Sequence, residues 1–185
     1  MVLSVDFILI NSILVIIIFF LLVVLTFVSP PDSPWAPWWR TPAHIARIMC
    51  QLARVGKKDV VYELGSGDGT AVITAVKEFG AKGVGIEIEF TRFLISKLLA
   101  RLQNVSNVRF VKNNFYHQNL SEATVIFFYL VPRVIKNLIP KLKKELRPGT
   151  RIVSFVYEAD LPLVRKDIKN RIYVYKIPKR NVGDI

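Results

Sequence analysis

The stretch "VVYELGSGDGTAVI", residues 60–73, holds a short apolar run, an acid, three glycines at every second position, and an apolar-periodic segment. It reads as strand, tight turn and helix. Glycines at Gly65, Gly67 and Gly69 permit backbone conformations closed to other residues and let the main chain approach a ligand closely. A dinucleotide fingerprint would need G-x-G-x-x-G, but the third glycine comes one position early and Thr70 stands in its place. No G-K-[ST] follows, so a phosphate-cradling P-loop is excluded. Glu63, two residues before the first glycine, would repel a pyrophosphate and suits a cationic group such as an amine.

The segments after the turn alternate strand with helix. "TAVITAVKEF" places Ala71, Val72, Ala75, Val76 and Phe79 on one helical face, with Gly80 as its stop. "GVGIEI" is a strand, "EFTRFLISKLLARLQN" a helix, "VRFV" and "TVIFFYL" strands, "PRVIKNLIPKLKKEL" a helix containing Pro140, and "TRIVSFVY" and "RIYVYKI" strands. Ahead of the turn, "PAHIARIMCQLARV" predicts a helix with Ile45, Ile48, Met49, Leu52 and Val55 on one face, ended by Gly56. This rhythm implies an α/β fold, a mostly parallel sheet with helices on both faces. In such sheets ligands bind at the carboxyl ends of the strands. Glu87 lies at the tip of the second strand, 22 positions after Gly65, where a carboxylate accepts both hydroxyls of a ribose. An adenosine-type ligand with an amine and no phosphate satisfies both acids, and S-adenosylmethionine fits that description.

Residues 7–28, "FILINSILVIIIFFLLVVLTFV", carry no charge over 22 positions. About 20 apolar residues span a bilayer as a helix, so residues 1–28 predict one N-terminal transmembrane anchor. A cleaved signal peptide fits less well, because no basic residue precedes the run and no small-x-small site follows it. Arg40, Arg47, Arg54, Lys57 and Lys58 follow the run and only Asp6 precedes it. That asymmetry predicts a single-pass protein with its C-terminal domain in the cytoplasm. Residues 29–42, with five prolines and three tryptophans, predict a stiff linker near the headgroups, and residues 43–185 the folded domain. The lone Cys50 excludes an intrachain disulfide. The net charge of +12 fits an anionic membrane surface better than nucleic acid, given the apolar tail. His44 and His117 are the only histidines, and no metal site is expected.

The ordered set "TPAHIARIM", "VVYELGSGDGT", "GVGIEIE", "NNF" and "FFYLVPRVIKNLIPKLKKELRPGTRIVS" resembles the class I S-adenosylmethionine-dependent methyltransferases with their Rossmann-like sheet. It is similar in particular to the small membrane-anchored protein-lysine methyltransferases of the adenine nucleotide translocase and the ATP synthase c subunit, and to their prokaryotic relatives. The resemblance covers residues 41–177. It implies that Glu63 lies near the methionine amine and that Gly65, Ser66, Gly67 and Gly69 form the turn under the cofactor. Asp68 would orient the cofactor, Glu87 would hold the ribose, and Ile88 would lie beside the adenine. Asn114 stands where many such enzymes carry an acid for the adenine amine. At the fourth-strand exit, Tyr129 is the candidate catalytic contact to an amine, and Thr41, Pro42 and Pro132 are candidate substrate contacts. The Asn-Pro-Pro-Tyr of base and amide methylases is missing, which argues against DNA adenine and glutamine methylation. The resemblance implies a membrane-associated protein substrate. A lipid or small-molecule methyltransferase, and a non-catalytic scaffold, remain alternatives. The chain runs only a few residues beyond "RIYVYKI", so the antiparallel edge hairpin usual in this fold is expected to be curtailed.

Overall fold

The computed structural model describes residues 5–28 and 39–179. Linker residues 29–38, with Trp35 and Trp38, and Arg180 in the basic tail lie outside the described residues. The chain divides into two units, the second starting at Trp39.

The first unit contains helix α1, Val5–Val28. Its side chains are exposed at Phe7 and throughout 9–22, so these residues present no buried stripe of their own. Asn11 is satisfied internally, its Nδ2 donating to the Phe7 carbonyl at 2.7 Å. Among the described residues no helix is long and apolar enough to cross a membrane. The transmembrane expectation therefore rests on sequence composition and not on the fold.

The second unit is a seven-stranded sheet of order β3-β2-β1-β4-β5-β7-β6. The strands are β1 (Val60–Leu64), β2 (Lys82–Glu87), β3 (Val108–Lys112), β4 (Val125–Phe128), β5 (Arg151–Phe155), β6 (Leu163–Asp167) and β7 (Ile172–Lys176). The first five run parallel, and β7 pairs antiparallel with both β5 and β6. Helices α2 (Ala43–Ala53), α3 (Thr70–Phe79), α4 (Phe90–Leu102) and α5 (Pro132–Glu145) complete the unit.

Strand alternation builds two cores. Val61, Val125, Phe127, Val153 and Val174 face α2 and α3, packing on Ala46, Met49, Cys50, Ala71 and Ala75. Tyr62, Leu64, Ile126, Phe128 and Ile152 face the other way, against Ile135, Leu138 and Leu142 of α5. Glu63 lies between Tyr62 and Leu64 on β1, so the same alternation puts it on the α3 side. Helix α5 continues through Pro140, which is exposed.

Three expectations change. The edge hairpin is complete: β6 forms the edge and β7 is an interior strand, so the sheet is not curtailed. The sequence "LVRKD" hides β6 because an edge strand with one wet face needs no apolar run. Helix α2 ends before Gly56. Arg54 adopts the left-handed conformation (φ 54°), and its N–H reaches the Cys50 and Gln51 carbonyls. Arg151 on β5 donates to the carbonyls of Ala53 and Arg54 at 2.7 and 2.9 Å, satisfying that helix end. The buried face of α2 is also rotated from the expected one: Ala46, Cys50 and Ala53 are fully buried, while Ile48 and Leu52 are half-buried. Small residues let the helix lie close to the sheet.

Candidate active site

The turn after β1 is held in place by its own backbone. Gly65, Gly67 and Gly69 have φ of 71°, 54° and 79°, all left-handed, which explains the glycines at alternate positions. The N–H groups of Gly65 and Ser66 both donate to the Ile86 carbonyl at 2.9 Å, which ties the turn to β2.

Helix α3 begins at Gly69, which has no side chain to cap it, and two acids supply the caps. Asp68 Oδ1 accepts from the Thr70 N–H at 3.0 Å and from the Thr70 hydroxyl at 2.7 Å. Glu63 Oε2 accepts from the Val72 N–H at 2.9 Å, reaching the helix N-terminus from the preceding strand. Glu87 closes the arrangement from β2. Its Oε2 accepts from the Gly67 N–H at 2.7 Å and its Oε1 from the Glu89 N–H at 2.9 Å. Three carboxylates thus converge on one turn of an otherwise basic protein.

Glu63 feels this most. Burial pushes its carboxyl up to about 8. The Val72 N–H opposes that shift, and the charges of Asp68 and Glu87 add to it. A buried carboxyl held this high accommodates a cation far better than an anion. The fit to an adenosine-type cofactor rests on further observations. Ser66 Oγ is buried and has no hydrogen-bond partner among the described residues. Gly85 lets Phe110 and Ser66 pack directly on β2 under the turn: a Cβ there would meet the Phe110 ring at 2.5 Å and Ser66 Oγ at 2.9 Å. Phe110 also limits Gly69, where a Cβ would come within 2.6 Å of the ring.

Beside Glu87, Ile88 is half-buried. The Asn113 N–H donates to the Glu87 carbonyl at 3.0 Å, fixing the loop after β3 against β2. Asn114 follows, and its side-chain oxygen accepts from the Tyr116 N–H at 3.0 Å. An amide oxygen has a second lone pair, so Asn114 retains one for a ligand.

At the ends of β4 and β5 an aromatic group gathers. The Tyr129 ring meets Phe155 edge-on with centroids 4.7 Å apart, and Tyr157 stands 6.4 Å from it. Burial raises the Tyr129 hydroxyl pKa above its ordinary value, the charge of Tyr157 adds to this, and Arg171 opposes it. Tyr157 is aimed by an unusual backbone. Val156, before it, has φ 73°, a conformation rare for a β-branched residue, and its N–H donates to the Arg171 carbonyl at 2.7 Å. The Ser154 hydroxyl donates to the Tyr157 carbonyl. Leu130, next to Tyr129, lies 3.6 Å from where a Cβ on Gly65 would be, so the β4 exit adjoins the glycine turn.

The structure therefore joins Glu63, residues 65–69 and Glu87 directly, and brings Tyr129 alongside. Thr41 is buried, whereas Pro42 caps α2 and Pro132 opens α5, both exposed. Sequence reasoning misses Arg40, whose Nε pairs with Asp68 Oδ2 at 2.7 Å and brings the chain before α2 onto the turn. It also misses Phe110, Phe155 and Tyr157. By sequence Tyr157 continues β5, because the break at Val156 has no glycine to mark it. Among the described residues, no three His, Cys, Asp or Glu side chains are placed to hold a metal ion together.

The family profile described as "ANTKMT methyltransferase domain" matches residues 63–162. A relative from Saccharolobus islandicus, named protein-lysine N-methyltransferase, is 43% identical over 129 residues, covering 68% of this chain and 79% of its own length. A Xenopus laevis relative, named as a lysine N-methyltransferase of the ATP synthase c subunit, is 30% identical over 123 residues, covering 65% of this chain and 52% of its own. Among solved structures, one from Salinibacter ruber, described as an RNA methyltransferase in complex with S-adenosyl-L-homocysteine, superposes with a TM-score of 0.74 at 36% identity. It covers 79% of this chain and 98% of that one. The carboxylate-lined glycine turn and these matches agree: the chain belongs to the ANTKMT methyltransferase domain family and is an S-adenosylmethionine-dependent methyltransferase.

Proposed function

We propose that the enzyme methylates lysine amines of a membrane-associated protein, with residues 7–28 as a single-span anchor, residues 29–42 as linker and the catalytic domain on the cytoplasmic side. The observation that carries the lysine assignment is the uncharged aromatic exit at Tyr129, Phe155 and Tyr157, beside an acid-lined turn. The names of the two curated relatives support it, and the uncharged run of 7–28 with basic residues after it supports the anchor.

S-adenosylmethionine, when bound, supplies a methyl group on a sulfonium. Glu63 would hold the methionine amine, with Ser66 and the turn backbone beneath. Glu87 would accept from the ribose, with Ile88 and Asn114 at the adenine and Asp68 keeping the turn in shape. An acceptor lysine must arrive without its proton, and at a pKa of about 10.4 only about one in 2,500 is neutral at pH 7. The aromatic exit would disfavour the charged amine by desolvation. The Tyr129 hydroxyl keeps its own proton, because burial raises its pKa. Its part is therefore to accept a hydrogen bond from the amine and hold the nitrogen lone pair in line, while the proton leaves to water.

A second reading has one observation behind it: the Salinibacter protein is described as acting on RNA, and this chain carries a net charge of +12. One experiment separates the two. Membranes with the full-length enzyme, or its Glu63→Ala/Glu87→Ala form, are incubated with total cell protein, lipid and RNA and a methyl-labelled cofactor. Label in acid-stable methyl-lysine, absent with the double variant, is the expected result. Label confined to RNA or to the lipid extract would replace the lysine reading.

A further inference from the structure

Helix α4 turns an apolar stripe to the outside. Its buried positions are Arg92, Ser96 and Ala100, at 6%, 0% and 5% exposure. Its solvent side carries Phe90, Leu94, Leu98 and Leu102, at 52%, 46%, 55% and 68% exposure. These four stand at successive intervals of four residues, so they form one continuous stripe along the helix. Single exposed leucines are ordinary on a protein surface, but an unbroken apolar stripe marks a contact surface.

Cations frame the stripe. Lys97 and Arg101 share the exposed side of α4, and no acid occurs within the helix. Glu89 precedes it, with its oxygens taken by the Thr91 and Arg92 N–H groups as the N-cap. Lys97 Nζ lies 5.3 Å from the Phe93 ring centre, and Lys112 Nζ 5.1 Å from that of Phe90. Both ammonium groups thus sit over aromatic rings of the helix. Beside the helix, Lys97, Arg101, Arg109, Asn104 and Ser106 line an open groove of about 630 Å³.

An apolar ridge edged by cations, next to a groove that carries Lys97, Arg101 and Arg109 among apolar side chains, matches the two layers of an anionic bilayer surface: acyl chains for the ridge, headgroup phosphates for the cations. We propose that α4 docks the catalytic domain onto anionic lipid, lying flat in the interface. This goes beyond the lysine assignment and does not rest on it. It shares only the presence of a membrane with the anchor reading, from which it differs in depending on lipid charge.

The test uses the full-length chain with Leu98→Cys carrying a nitroxide, and Asn137→Cys on the exposed side of α5 as a comparison site. Unsubstituted protein reports any labelling of buried Cys50. The protein is placed in vesicles of phosphatidylcholine, with or without phosphatidylglycerol. Anionic vesicles should raise the collision rate of the label at 98 with oxygen and lower several-fold that with a water-soluble nickel chelate. Position 137 should stay aqueous. Lys97→Glu/Arg101→Glu should abolish the change while leaving the fold intact by circular dichroism. Four results would overturn the proposal. The label at 98 could stay aqueous on both vesicles, or respond equally to neutral and anionic lipid. It could be shielded from both reagents, which would mean that protein covers it. It could also show spin–spin broadening, which would mean that a second copy covers it. Association with neutral vesicles while 98 stays aqueous on both would sink the α4 surface and leave the anchor standing.

Discussion

At the residue scale, Glu63 carries the sharpest consequence. In the free protein its carboxyl titrates near 8 instead of 4.5, so the folded state keeps a proton that the unfolded chain has released. Between those values the unfolded chain binds fewer protons, and stability must fall as pH rises, levelling off above about 8. Relative to Glu63→Gln, the wild type should therefore lose thermal stability from pH 5 to pH 8, and equal slopes for the two proteins would refute the assignment. A cofactor ammonium beside Glu63 would favour its charged form. Binding at pH 7 should then release close to one proton per site in the wild type and none in Glu63→Gln. Calorimetry in two buffers of different ionisation heat reads this directly. Gly85 is the second test at this scale. Gly85→Ala would force a methyl into the Phe110 ring and toward Ser66 Oγ, and overpacking of that kind costs about 1–3 kcal/mol. Denaturant unfolding should show the loss, together with weaker cofactor binding, because the ring and the hydroxyl both support the turn.

Elements differ in how openly the sequence announces them. The turn between β1 and α3 is legible because left-handed backbone demands glycine, and three glycines at alternate positions after a strand spell out that demand. Glu87 is legible because the end of β2 follows from strand length. Three features are not. The alternation of β6 looks like a polar loop. The inner face of α2 is made of small residues that carry little hydropathy signal, and periodicity in α4 reveals a stripe without saying that it faces outward. The kink after β5 is hidden for a different reason. Val156 takes a left-handed conformation that its type disfavours, so the surroundings must impose it. Val156→Gly removes that penalty and should raise unfolding stability by about 1 kcal/mol. If the kink aims Tyr157 at Tyr129, the same change should lower kcat/KM. A stability loss of similar size would show that the valine is not strained there.

The whole molecule shows an uneven division of sequence distance. Apart from the Arg40–Asp68 pair, the bonds described for the glycine turn join residues within the span 63–89: Glu63 to Val72, Ser66 to Ile86, Gly67 to Glu87 and Glu87 to Glu89. The aromatic exit closes over similar distances, and the long reach is the pairing of β1 with β4 that joins the two, where the Thr124 N–H donates to the Val60 carbonyl at 3.0 Å across 64 residues. Val156 is tied to Arg171, the Ala159 N–H donates to the Tyr175 hydroxyl at 2.8 Å, and β5 is flanked by β4 on one side and β7 on the other. Local contacts close at small entropic cost and non-local ones form late. Refolding followed by pulsed hydrogen exchange should therefore protect the Gly67, Val72 and Val156 amides before that of Thr124, and simultaneous protection would refute the order. A chain halfway through folding would then hold a grip for the methyl donor and an opening for the acceptor as separate pieces, and turnover would begin only when β1 and β4 bring them together.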